Sequence, residues 1–196
     1  MLIKPENIIN SVAMSNKTKF FTFCLGTLAF SCVTVGANAQ TKLTNQSKVY
    51  INGIGAVRVG MTVAEASLAA GTRLVQEAGY QDNPSCFYVT PKQKPKGMGF
   101  MVVGDRIARV DVWKNQSITT LSGAKIGDTE AKIKSLYPGQ IQVTPHNYVP
   151  AGHYLTFVPK DRADRNYRVI FETDGKRVTG FRAGKRPEVE FVEGCS

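Results

Sequence analysis

The sequence predicts an α+β fold of two tandem repeats, each a short helix followed by an antiparallel meander, forming a sheet with helices on one face. Three observations predict it. Arg58-Val59-Gly60-Met61-Thr62-Val63-Ala64-Glu65-Ala66 is echoed by Lys125-Ile126-Gly127-Asp128-Thr129-Glu130-Ala131-Lys132-Ile133. At the same spacing, 60 to 127, Cys86-Phe87-Tyr88 falls on His153-Tyr154-Leu155, and Arg106–Val110 matches Arg177–Phe181 after a short insertion. Finally, the apolar runs that follow each block are short and punctuated by Gly-Asp or Asp-Gly turns. A recurrence this long describes half a domain, not a solenoid unit.

Each element has a local cause. Thr62-x-x-Glu65 is a capping box opening a helix over Val63–Ala70 that Gly71 stops. Asp128 or Thr129 caps a second helix over Glu130–Leu136, ended by Tyr137-Pro138-Gly139. Strands are expected at Cys86–Thr90, Gly99–Val103 and Arg106–Trp113, then at Tyr154–Val158, Tyr167–Glu172 and Arg177–Phe181. Val103-Gly104-Asp105-Arg106 and Thr173-Asp174-Gly175-Lys176 are the hairpin turns. Pro187–Val192 is expected as a last strand leading to Cys195. The two repeats then cover about 48–115 and 119–196 of a single mature domain, 40–196.

The first 39 residues read as a secretory leader. Lys17 and Lys19 precede an apolar stretch from Phe20 to Val35, and Ala37-Asn38-Ala39 is a small-x-small cleavage site. Met14 is an alternative start, since Met14-Ser15-Asn16-Lys17 already makes a compact basic opening. Ala29-Phe30-Ser31 before Cys32 is a poor lipid-attachment signal. The leader holds two of the ten net positive charges, so the mature chain keeps eight. At 42% hydrophobic and 20% charged the chain is globular. No later stretch approaches the roughly 20 apolar residues of a spanning helix, so no transmembrane segment is expected in the mature chain. A small, basic, periplasmic or secreted domain is the expectation, which excludes a cytosolic enzyme and a large multidomain catalyst.

Of four cysteines, Cys24 and Cys32 leave with the leader. Cys86 and Cys195 remain, and in an oxidising compartment one disulfide is the simplest outcome. Two free thiols or a redox pair are the alternatives, the second without a Cys-x-x-Cys arrangement to support it. A bridge closes a loop of about 110 residues and ties the tail to the first half.

Val59-Gly60-Met61-Thr62 followed by a short helix resembles the hydrophobic-Gly-Met-Thr signature of small bacterial envelope domains, among them the beta-lactamase inhibitor protein fold and the small outer-membrane assembly lipoproteins. Ile126-Gly127-Asp128-Thr129 looks like a second copy, and tandem copies are the arrangement of the inhibitor fold. The segments Phe171–Val178 and Val189–Ser196 look like those of uncharacterised exported bacterial proteins. The resemblance implies a fold, and through it the possibility of inhibiting an exported enzyme. The chain departs from the assembly lipoproteins in lacking their anchor cysteine.

Catalytic signatures are few. The sequence holds no Gly-x-Ser-x-Gly elbow, His-Glu-x-x-His pair or phosphate-binding Gly-rich loop. His146 and His153 are too far apart for common metal spacing, so no metal or cofactor is expected. Asp105 and Asp111 could be paired carboxylates, yet Asp105 sits in a turn and Asp111 alternates with Arg109 as an ion pair would.

Strand alternation is more informative. Ala108, Val110 and Val112 share one face, and Arg109, Asp111 and Trp113 the other. The repeat alignment sets Asp111 with Arg182, and Phe87 with Tyr154. If helices cover the first face, the second presents Phe87, Trp113 and Tyr154 among Arg109, Asp111 and Arg182, the composition of a recognition surface. A second buried layer is the alternative. Lys92, Lys94 and Lys96 lie in a Pro-broken connection, while Lys185 and Arg186 cluster before the final segment; both read as basic loops. Net positive charge draws an acidic protein or an anionic envelope polymer. It argues against inhibition of a basic lysozyme, and nucleic acid fits neither motif nor export. The leading expectation is therefore a non-enzymatic periplasmic binding protein. A hydrolase of an envelope glycan or peptide, using Asp111 or His153, is the alternative.

Overall fold

A computed structural model describes residues 42–77 and 85–195. The leader, with Met14, Cys24, Cys32 and the Ala39 cleavage site, lies outside the described residues.

The described chain is mixed α+β, with two helices, two sheets and a predominance of strand. In chain order it forms β1 (Lys48–Tyr50), β2 (Gly53–Ile54), β3 (Val57–Arg58), α1 (Val63–Ala70), β4 (Leu74–Gln76), β5 (Cys86–Pro91), β6 (Met98–Val103) and β7 (Arg106–Val112). Then come β8 (Thr119–Thr120), α2 (Glu130–Leu136), β9 (Ile141–Pro145), β10 (His153–Phe157), β11 (Tyr167–Thr173) and β12 (Val178–Lys185). The large sheet has eight strands in the order β4-β5-β6-β7-β12-β11-β10-β9, and the small one runs β3-β2-β1-β8.

Both helices begin as their caps dictate, and α1 also ends so. Thr62 and Glu65 form a reciprocal capping box, and Gly71 closes α1 in the left-handed conformation at φ 60°. Thr129 accepts the Lys132 amide at the start of α2. Each helix start is also tied to a strand edge by the same bonds. The Gly60 amide donates to the Ile107 carbonyl at 2.8 Å, and that of Gly127 to Val178 at 2.9 Å. Arg106 Nη1 donates to the Gly60 carbonyl, and Arg177 Nη1 to the Gly127 carbonyl, each at 2.7 Å.

One apolar cluster lies on the helix side of the large sheet. It holds Ala66 and Ala69 of α1, Ile133 of α2, and Phe100, Val110, Leu155, Phe171 and Phe181 from the strands. Val49, Ile54 and Val57 of the small sheet belong to the same cluster. Alanines on α1 let its backbone approach the sheet closely, which larger residues would prevent.

Two expectations are corrected. Pro187–Val192 is not a strand: Glu188–Glu190 form a single 3-10 turn, and 186–195 runs as a strap ending in a Cys86–Cys195 disulfide. The face assigned to Phe87 is also wrong. Counting outward from the central β7–β12 pair, Val110, Phe100 and Val89 are cross-strand neighbours on one side, and Phe181, Phe171 and Leu155 on the other. By position in the sheet Val89 therefore matches Leu155, and Tyr88, not Phe87, matches Tyr154. The expected placing of Phe87 beside Tyr154 is out by one residue, and in a strand one residue reverses the face. Phe87 accordingly packs against the main core, while Tyr88 and Tyr154 belong to two small clusters on the other face.

Candidate functional site

The second face of the large sheet carries charge where the first carries hydrocarbon. Alternation along β7 places Arg109 and Asp111 there, and Arg182 lies opposite Asp111 in the central β7–β12 pair. Tyr88, Tyr154 and Glu172 come from the outer strands. Arg109 Nε donates to Asp111 Oδ2 at 2.9 Å, and its Nη2 donates to the Tyr88 hydroxyl. Arg182 Nη1 pairs with Glu172, while its guanidinium carbon stands 5.8 Å from the Tyr154 ring centroid. Arg109 bears the same relation to Tyr88 at 5.9 Å. His146 stacks on Tyr154 with centroids 4.4 Å apart and reaches Glu172 at 3.9 Å. The result is a continuous polar row across the sheet.

That row is not a free surface. Arg109 is 3% exposed, Arg182 4% and Tyr154 7%, because the strap covers them. Both arginines hold the strap by its backbone. Arg109 Nη1 donates to the Glu188 carbonyl at 2.9 Å and the Phe191 carbonyl at 2.7 Å, and Arg182 Nε donates to Val189 at 2.7 Å. Arginine suits this role because it stays charged when buried and its fork fixes several acceptors at once. Burial pushes the Asp111 carboxyl above its ordinary value, against the pull of Arg109 and, more weakly, Arg182; Glu172 adds to the rise. Burial also works against the Arg109 charge, but Asp111 and Tyr88 outweigh it and raise the guanidinium.

The predicted contact residues thus separate. Arg109, Asp111, Arg182 and Tyr154 come together, but the two arginines and Tyr154 are buried beneath the strap, and Asp111 is bonded to Arg109 beside them. Trp113 is half-buried just beyond β7, and Phe87 is on the far side. Lys92, Lys94 and Lys96 are exposed in the β5–β6 connection, although Lys96 Nζ folds back onto the Pro91 and Lys92 carbonyls. Lys185 and Arg186 lie toward the other end of the sheet, bonded to Glu188 at 3.3 Å and Glu190 at 2.7 Å. The two basic groups do not form one patch.

What the strap face offers outward is aromatic. A cleft beside the disulfide is lined by Cys86, Asn147, Tyr148, Phe191, Glu193 and Cys195. Tyr148 is 62% exposed and Phe191 43%, and the Tyr148 hydroxyl bonds Glu193 of the strap. Neither aromatic was marked by the sequence, since both lie outside any repeated or alternating pattern. Tyr88 had a signal: a shift of one residue in the alignment matches tyrosine to tyrosine.

The histidines are otherwise engaged. His153 Nδ1 lies 2.8 Å from Glu130 Oε1, which also accepts the Thr173 hydroxyl at 2.6 Å. Among the described residues, no group of three or more His, Cys, Asp or Glu is placed to hold a metal ion. Nor is any described helix long and apolar enough to cross a membrane.

No family model and no curated protein matches the chain. A crystal structure of the uncharacterized protein yfeY from Escherichia coli aligns with 70% of this chain and 99% of its own, at 16% identity and a TM-score of 0.46.

Proposed function

We propose that this chain is an exported, non-enzymatic binding protein whose strap face recognises a protein partner. The disulfide fits an oxidising compartment. One observation carries the binding reading. Tyr148 and Phe191 stand exposed at one cleft, and Phe191 lies on a segment pinned by a disulfide and three arginine hydrogen bonds. Rigid aromatic groups bury much area at little entropic cost, which is how contact hot spots are built. Arg109 and Arg182 then serve as positioning residues for the strap. Inhibition of an exported enzyme is a specific form of this reading, and an anionic envelope polymer is the alternative ligand. The hydrolase alternative would rest on Asp111 or His153, which are bonded to Arg109 and Glu130.

Duplication belongs to the same proposal. It is supported by the sheet order, four strands mirrored by four, by the paired Gly60 and Gly127 bonds, and by Tyr88 and Tyr154 under matching arginines. The functional test is capture from periplasmic extract at low and high salt, read by mass spectrometry. Tyr148→Ala with Phe191→Ala should abolish capture of a salt-resistant partner while leaving Tm within a few degrees, since both side chains are exposed. Undiminished capture by the double variant would sink the strap-face reading, and capture lost at high salt by the unaltered chain would indicate an anionic polymer.

A further inference from the structure

A second cavity lies on the same face, toward the β4–β5 side of the sheet. Among the described residues it is lined by Glu77, Tyr88, Asp111 and Trp113, and it has a volume of about 210 Å³. Two walls are aromatic and two are carboxylates, in a chain whose net charge is +10. The floor depends on an absence. Gly99 pairs with Asp111, and a Cβ at Gly99 would come within 2.8 Å of Trp113 Cη2. Only glycine there lets the indole settle against the sheet beside Asp111.

The charged groups are arranged unevenly. Arg109 engages one Asp111 oxygen, Oδ2, and the Tyr88 hydroxyl, which orients two of the four walls. It does so while locked to the strap, so it is not free to turn into the cavity. No hydrogen bond from a described residue reaches Asp111 Oδ1, and no described residue forms an ion pair with Glu77. Carboxylate oxygens and aromatic rings share one preference: both attract cations, the rings through their quadrupole. The volume is below the roughly 300 Å³ at which drug-sized pockets begin, so it suits a head group and not an extended molecule. The overall positive charge does not forbid this, because at physiological salt charges beyond about 8 Å are largely screened; at the cavity itself the two carboxylates of Glu77 and Asp111 face one bonded guanidinium, that of Arg109, which leaves a local negative balance.

We propose that this cavity binds a small organic cation, an alkylammonium group held between Trp113 and Tyr88 and against Glu77 and Asp111. An entering cation also offsets the burial of the Asp111 carboxylate. The site is independent of the strap-face reading, since neither Tyr148 nor Phe191 lines it.

Trp113 is the single tryptophan of the chain, so its fluorescence reports the cavity directly. The disulfide-bonded mature protein is titrated with tetramethylammonium, with 1,5-diaminopentane, and with tert-butanol as a neutral shape control. The expected result is a saturable change in emission with one or both cations and none with tert-butanol. Glu77→Gln should raise the apparent Kd about tenfold or more, the equivalent of one lost charge contact. Asp111→Asn should act in the same direction, but it disturbs a buried pair; Glu77→Gln, at the rim, keeps the test independent of folding. A response to tetramethylammonium alone would indicate a quaternary head group, and to the diamine alone a primary amine; either supports the site. An equal response to tert-butanol, no saturable response, or an unchanged Kd in Glu77→Gln would overturn it. Tyr148→Ala with Phe191→Ala should bind the cations as the parent does, which separates this proposal from partner capture.

Discussion

The two faces of the large sheet are buried by different means. On the helix side, Phe100, Leu155 and Phe171 pack with α1, α2 and the small sheet, and shape alone has to match. On the strap side, a ten-residue segment whose regular structure is a single 3-10 turn covers Arg109 and Arg182, so burial has to be accompanied by bonding. Each guanidinium there meets a carboxylate and strap carbonyls. Hydrocarbon tolerates approximate partners, whereas a buried charge that loses its counter-charge is left at high cost. The helix face should therefore fail gradually with lost volume, and the strap face abruptly with any lost partner.

The sharpest way to break this contrast is a pair of substitutions. Phe100→Ala should cost about 3–5 kcal/mol through the cavity it leaves. Arg109→Met should cost a similar amount for another reason, a stranded Asp111 and orphaned strap carbonyls. Adding Asp111→Asn to Arg109→Met should recover part of that loss, read by urea denaturation. Strict additivity of the two changes would show that the charges are not coupled.

Releasing the strap comes next. Cys195→Ser should lower stability by about 2–4 kcal/mol, since the bridge spans a sequence separation of 109 residues. Amide exchange should then rise at 186–195 and in β7 and β12 before it rises in α1. Uniform loss of protection would mean that the strap is not a separate layer.

The smallest effect concerns α2 and is set by pH. Burial alone would raise the Glu130 carboxyl, but bonds from Thr173 and His153, with the charges of His153 and Lys134, hold it below its ordinary value. A carboxyl depressed in the folded chain binds fewer protons there than in the unfolded chain. Its contribution is complete above the usual Glu pKa of about 4.3 and disappears as pH falls below that value. Stability measured from pH 6 to pH 3 should show this acid limb, and Glu130→Gln should flatten it.

How much of this was legible in the sequence depended on how local its cause was. Both helices appear at their expected bounds, because Thr62, Glu65, Gly71 and Thr129 act within a turn of the residues they cap. The hairpin at Gly104-Asp105 was likewise readable, with both residues at positive φ as a tight turn requires. The pairing of Cys86 with Cys195 followed from cysteine count alone. The four strands of the small sheet, β1, β2, β3 and β8, and the edge strands β4 and β9 of the large one carried too little pattern to be marked. The site was half legible. Arg109, Asp111 and Arg182 share a face as alternation demands, but nothing near them in sequence says that a tail from residues 186–195 lies over them. Phe87 was misplaced by one residue, an error that would be harmless in a loop and is decisive in a strand.

The central Asp111–Arg182 pair has a further implication. On the duplication reading, these are corresponding positions, and they face each other across the seam where the halves meet. In an ancestral dimer of two identical halves, that position would have met its own copy: aspartate against aspartate, or arginine against arginine. Opposite charges at the seam are open only to a fused chain, where each copy of the position varies separately. Fusion would thus have made opposite charges at facing positions of the seam accessible, an arrangement that symmetry had forbidden.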